Sequence, residues 1–308
     1  AQSVFDRSSI NGFRCIRYLE DEANRAELTR NVELPFRDFS TEIPVSDEVF
    51  SHYLRLFAYD RTPLNAAIES VDEVPGGRRQ KISFDAAYGG ERMLAYLFLP
   101  SKGAPPYQTV VLFPGSGAIH RRSSTALRLN RVEFLLKGGR AVLFPIYKGT
   151  YERGGELTTD YPEETAAYKD HVVAWGKDLG RSLDYLETRE DIDADRLAYY
   201  GLSWGAAMGA IMPAVEKRFE AVILYVAGFF FQRALPEADQ INYVTRVTQP
   251  TLMLNGELDF YFPVETSQRP MFEMLGTPDE HKKWIRYPGG HSVPRTEMIK
   301  ETLAWLDR

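Results

Sequence analysis

Eight short apolar runs constrain the fold of this chain more than any other feature of it. They are QKISFDAAY (80–88), MLAYLFL (93–99), TVVLFP (109–114), AVLFPIY (141–147), RLAYYG (196–201), AVILYVA (221–227), TLMLNG (251–256) and KWIRYP (283–288). The first two flank YGGE, a turn suited to a hairpin. The later runs are apolar throughout rather than alternating, as in parallel strands covered on both faces.

Helical patterns fill the intervals. STALRLNRVEFLLKGG follows the third run and stops at Gly138 and Gly139. After the fourth run, Tyr168, Val172, Trp175, Leu179, Leu183 and Leu186 recur at the spacing of one helix face. GAAMGAIMPAVEKR, VETSQRPMFEML and the closing PRTEMIKETLAWLDR continue the alternation. A hairpin followed by repeated strand–helix units predicts an α/β fold with a mostly parallel, eight-stranded, doubly wound sheet. We assign residues 76–308 to it, with Pro75–Arg79 as the boundary. Residues 25–75 read as a helical cap or linker with helices in NRAELTRNVELPF and VSDEVFSHYLRLFAYD, and residues 1–24 as a separate N-terminal segment.

The bulk properties remove several function classes. The net charge of −6 has no basic stripe within it, which argues against a nucleic-acid partner. The longest apolar run, AVILYVAGFFF, is too short to span a bilayer. The single cysteine, Cys15, excludes an internal disulfide and a cysteine metal cluster, and points to a reducing, cytoplasmic location. The chain starts without Met and without a signal-peptide pattern, so a removed leader and a longer parent protein both stay open.

Within YYGLSWGAAM a serine, Ser203, stands between Gly201 and Gly205 where a strand run becomes a helical run. A sharp strand-to-helix turn crowds its neighbours, and small residues on both sides relieve that crowding. Such a turn lifts the hydroxyl above the carboxyl edge of the sheet, at a helix N-terminus. The pentapeptide alone is common by chance, so its partners decide. Of the five histidines, His291 lies in YPGGHSVP after the last strand run, whereas His52, His120, His171 and His281 lie elsewhere. Asp259, in NGELDFYFP, leaves the seventh run beside the loop of His291; Glu257 is the competing carboxylate. The order Ser203, Asp259, His291 suits a nucleophile, an orienting acid and a base. The main-chain N–H of Trp204, with that of Ser116 or Gly117, would form the oxyanion hole.

On these residues the chain resembles the α/β-hydrolase superfamily, and within it the dienelactone hydrolase and acetyl-esterase-like group. GLSWG, NGELDFYFP and PGGH are similar to the nucleophile, acid and histidine segments of that superfamily. Many members carry His-Gly at the oxyanion loop where this chain has Pro114-Gly115. The opening FDRSSINGFRCIRYLE resembles the closing segment of a formylglycine-generating (sulfatase-modifying) domain, so the chain resembles the C-terminal hydrolase domain of a larger bacterial protein. The resemblance implies a serine esterase that acts on a small-molecule ester without cofactor or metal. The same triad could serve a peptidase or amidase, and a non-catalytic regulatory module could keep the fold without the chemistry. The long insert PIYKGTYERGGELTTDYPEE predicts a pocket wall, with Tyr147 and Tyr151 facing the substrate together with Phe229 and Phe230.

Overall fold

The computed structural model describes residues 37–125, 127, 133–155 and 157–308. The N-terminal segment 1–24, the helix expected over 24–36 and Cys15 lie outside the described residues.

Among the described residues, nine strands form one sheet: β1 (Ala67–Val74), β2 (Gly77–Asp85), β3 (Arg92–Pro100), β4 (Tyr107–Phe113), β5 (Ala141–Ile146), β6 (Ile192–Leu202), β7 (Phe219–Tyr225), β8 (Thr251–Gly256) and β9 (Lys282–Tyr287). Their order is β1-β2-β3-β5-β4-β6-β7-β8-β9. The first three strands form an antiparallel meander, and β3 joins β5 antiparallel. From β5 through β4 to β9 every pairing is parallel. The eight expected runs are β2 to β9. The sheet begins at Ala67, ahead of the expected start at residue 76, because AIESVDEV forms β1 inside the segment read as helical. Seven of the eight β1 residues are exposed, so neither face carries the apolar signal of a buried strand. Its charges instead pair with β2, Asp72 with Arg79 at 2.8 Å and Glu69 with Lys81 at 2.9 Å, and charge on an outer strand discourages further pairing.

The helices are α1 (Asp47–Phe57), α2 (Glu133–Lys137), α3 (Ala166–Glu187), α4 (Trp204–Met208), α5 (Met212–Val215), α6 (Ile241–Val244), α7 (Arg269–Met274) and α8 (Arg295–Leu306). Thr165 caps α3 by accepting the Tyr168 N–H at 3.2 Å. The expected apolar face of α3, from Tyr168 to Leu186, is buried along its whole length. One core lies between the sheet and α3, α4 and α5; a second lies on the opposite face under α2 and α8.

The helix expected within 45–60 is α1. Ser46 caps it, Asp47 and Glu48 occupy its first turn, and Arg55 its last, all favourable to the helix dipole. It docks on α3 where Gly176 and Gly180, one helical turn apart, leave room for Phe57 and Tyr59. A Cβ on Gly176 would overlap the Phe57 ring, and one on Gly180 would lie 2.6 Å from the Tyr59 hydroxyl. Ahead of α1, the buried Arg37 donates to Asp239 at 2.8 Å and to Glu42 at 2.8 Å. None of the described helices is long and apolar enough to cross a membrane.

Candidate active site

The serine turn is built by close backbone approach. A Cβ on Gly201 would overlap the Gly205 carbonyl, and a Cβ on Gly205 would overlap that of Phe113. Only glycine fits at either position, as the spacing implied. Between them Ser203 holds φ 52° and ψ −108°, a strained conformation for a residue with a side chain. Its N–H donates to the Tyr225 carbonyl at 2.9 Å, and Gly205 N–H donates to Pro114 at 3.0 Å, so β7 and the loop after β4 brace the turn. Val226, at the end of β7, also has positive φ, at 53°. Strain in a β-branched residue beside the serine turn is what an over-determined site sustains.

Ser203 Oγ lies 2.7 Å from His291 Nε2. His291 Nδ1 lies 2.7 Å from Asp259 Oδ2. Asp259 is 3 % exposed, and its other oxygen, Oδ1, accepts the N–H groups of Tyr261 at 2.9 Å and Phe262 at 3.2 Å. With one oxygen fixed by the main chain, the other is held toward the imidazole. Glu257, the competing carboxylate, belongs to the turn that closes β8 onto the His291 loop: its N–H donates to Tyr287 and that of Leu258 to Gly289. The other histidines take different places. The His171 ring, for example, bonds the Ala167 carbonyl within α3 at 2.9 Å.

Ser116 and Gly117 begin a single 3-10 turn, Ser116–Ala118, after β4. Both line, with Ser203 and His291, a cavity of about 540 Å³ that runs along the sheet toward Phe98 and Phe144. A Cβ on Gly117 would meet nothing within 4 Å, so packing does not demand glycine there. The Trp204 ring is fully buried against Trp175, 4.8 Å away, and Phe113, 5.0 Å away. That packing locks the first residue of α4 and hence the direction of its main-chain N–H.

The expected pocket wall divides. Tyr151 lines the cavity, presented on a turn where its own φ is 46°. That turn is anchored by Arg153, which donates to the Ile146 carbonyl at 2.9 Å and to the fully buried Asp178 at 2.5 Å. Burial pushes the Asp178 carboxyl up in pKa, while Arg153, the Lys148 N–H and the Tyr88 hydroxyl pull it down. Tyr147 is a correction. It is fully buried, stacked on Phe113 at 4.2 Å, and donates its hydroxyl to the Leu112 carbonyl at 3.1 Å. It follows β5 directly and its ring turns into the core, on the other side of the sheet from the cavity. Phe229 is a second correction, packed on Phe39 at 4.6 Å. Phe230 does not line the cavity either; it stands behind His291, 5.3 Å from Phe262, whose ring is 5.7 Å from the imidazole.

Two features went unread in the sequence. Asp160, on the insert, lies near His120 and His291; burial pushes its carboxyl up in pKa, against the pull of its own main-chain N–H, the two histidines and Ser116. Phe260 and Tyr261 follow Asp259 directly, and the Tyr261 ring contacts His291 at 4.9 Å. FYF after Asp259 is the available signal in the sequence, which by itself does not show that the rings are exposed. Among the described residues, no three His, Cys, Asp or Glu side chains gather as a metal site would require.

The model of a serine hydrolase family (FSH1) matches residues 175–303, which include Ser203, Asp259 and His291. No curated protein matches the chain at a significant level. Among solved structures, the chain is similar to acetyl xylan esterase 1 from a Thermoanaerobacterium species, with TM-score 0.67 and 15% identity over 86% of this chain and 94% of that one. An acetyl xylan esterase from a Paenibacillus species gives TM-score 0.64 and 18% identity over 87% and 95% of the two chains. A glucuronoyl esterase from Solibacter usitatus gives TM-score 0.57 and 15% identity over 91% and 99%. The chain has the α/β-hydrolase fold.

Proposed function

We propose that this protein is a serine hydrolase that cleaves carboxylic esters through an acyl-enzyme intermediate. One observation carries the reading: the unbroken relay from Ser203 through His291 to Asp259, with both contacts at 2.7 Å. The serine hydrolase family match and the three similar structures, each named an esterase, support it.

In this mechanism His291 Nε2 takes the Ser203 proton as Oγ bonds to the ester carbonyl carbon. Asp259 keeps the Nδ1 proton in place and stabilises the imidazolium that forms. The Trp204 N–H and that of Ser116 or Gly117 receive the negative oxygen, a contribution worth about 10²–10³ in turnover per donor. The C–O bond to the alcohol then breaks, and His291 returns the proton to the departing oxygen. Water, deprotonated by His291, attacks the acyl-enzyme, and Ser203 leaves with its proton restored.

The reading is tested by hydrolysis of nitrophenyl esters of rising chain length. Ser203→Ala should lower kcat by about 10⁴-fold or more, as removal of a triad nucleophile does. Retention of more than about a hundredth of the wild-type kcat by a folded Ser203→Ala variant contradicts it.

A further inference from the structure

The described residues expose eight large apolar side chains, and three of them are aromatic: Tyr161 at 39 %, Phe260 at 60 % and Tyr261 at 50 %. All three belong to loops leaving the carboxyl edge of the sheet beside His291. Scattered exposed apolar residues need no explanation, but contiguous ones at a cleft mark a binding surface. Phe260 and Tyr261 are contiguous, with ring centroids 4.2 Å apart and planes 33° from parallel. Tyr261 in turn meets the His291 ring edge to face at 4.9 Å. On the far side, Tyr161 packs on Phe230 at 5.8 Å, which leads through Phe262 back to His291.

We propose that Phe260 and Tyr261 form a platform for the alcohol half of the ester, and that this half carries a flat, aromatic ring. The inference rests on the esterase reading and deepens it. The proton from His291 Nε2 must reach the departing oxygen, so that oxygen lies within hydrogen-bond range of the imidazole. In this proposal the group attached to that oxygen lies on Tyr261, whose ring is 4.9 Å from His291, and then on Phe260, 4.2 Å from Tyr261. The acyl half has a separate place, the cavity that opens at Ser203 toward Phe144 and Met298. The platform is also preorganised. The two main-chain N–H groups that hold Asp259 Oδ1 belong to Tyr261 and Phe262, so the turn that fixes the acid also fixes the rings. Phe260 has no polar atom and 60 % of it faces water, an arrangement that a flat apolar ligand would relieve.

The test uses three acetates that share one acyl group and differ in the alcohol: ethyl, benzyl and cyclohexylmethyl. Wild-type protein should prefer benzyl acetate to the cyclohexylmethyl ester, which is as large but not flat. Phe260→Ala should lower kcat/KM for benzyl acetate by about tenfold and change that for ethyl acetate by less than about twofold. Phe260→Trp should keep the preference. An equal effect of Phe260→Ala on all three esters overturns the proposal, as does a wild-type preference for cyclohexylmethyl or for an acetylated methyl xyloside. A concentration-dependent dimer in sedimentation, or binding to phosphatidylcholine vesicles, that Phe260→Ala abolishes without altering the ester ranking assigns the rings to another occupant and also overturns it. Failure of the wild type on every ester, including the nitrophenyl series, is distinguishable: it contradicts the esterase reading and removes this inference with it.

Discussion

Gly256 and Gly290 stand so close that a Cβ on the first would overlap the carbonyl oxygen of the second. This contact joins the end of β8, which leads to Asp259, to the loop that carries His291. Neither loop alone sets the distance between Asp259 and His291; their separation is set where the loops touch.

Gly256→Ala should therefore push the His291 loop away while the sheet stays intact. Misplacement by about 1 Å costs about 10²-fold in rate. We expect kcat/KM to fall by about that factor with cooperative unfolding preserved. A variant within about threefold of wild type would show that the contact does not set the geometry.

Tyr147 and Tyr151 lie four residues apart and have opposite fates. Tyr147→Ala removes a ring from the core and should destabilise by about 3–5 kcal/mol, read by denaturant unfolding. Tyr151→Ala removes a cavity wall and should reorder a chain-length series of acyl esters. If Tyr147→Ala alters the substrate ranking without loss of stability, the division between the two tyrosines is wrong.

Glu42 gives the pH dependence of the segment ahead of α1. Hydrogen bonds from Arg37, and then Arg233, hold its pKa down to about 2 from an ordinary 4.5, against the effect of burial. The folded value lies below the unfolded one, so this contribution is complete above about pH 4.5 and is lost as pH falls toward 2. Glu42→Gln should have a lower Tm than wild type at pH 6, and the two should converge near pH 2. A difference in Tm that is unchanged across that range would exclude the linkage.

Much of this site was legible because its constraints are local. Gly201 is required by overlap with Gly205 within one turn, and Gly205 by the approach of Phe113 at the end of β4; both requirements appear in the sequence as glycines spaced around Ser203. The central strands β4, β5, β7 and β8 were legible because burial makes them almost uniformly apolar, and β2 and β3 through the turn between them. β1 was not, since an outer strand with both faces exposed looks like any charged segment. Nor could the sequence separate Tyr147 from Tyr151. Which side of the sheet a ring enters depends on the turn at Thr150–Gly154, pinned by Arg153 to Asp178 from a different element. The Phe260–Tyr261 pair was visible as residues, but its exposure beside His291 is a property of the folded loops alone.

The central claim is that Ser203 is an activated nucleophile. It is tested most directly by incubating folded protein with a fluorophosphonate and measuring intact mass, followed by peptide mapping. The account predicts a single adduct on Ser203, formed within minutes, absent from Ser203→Ala and strongly slowed in His291→Ala. Folded wild-type protein that stays unlabelled, or a Ser203→Ala variant that labels as fast as wild type, would contradict it.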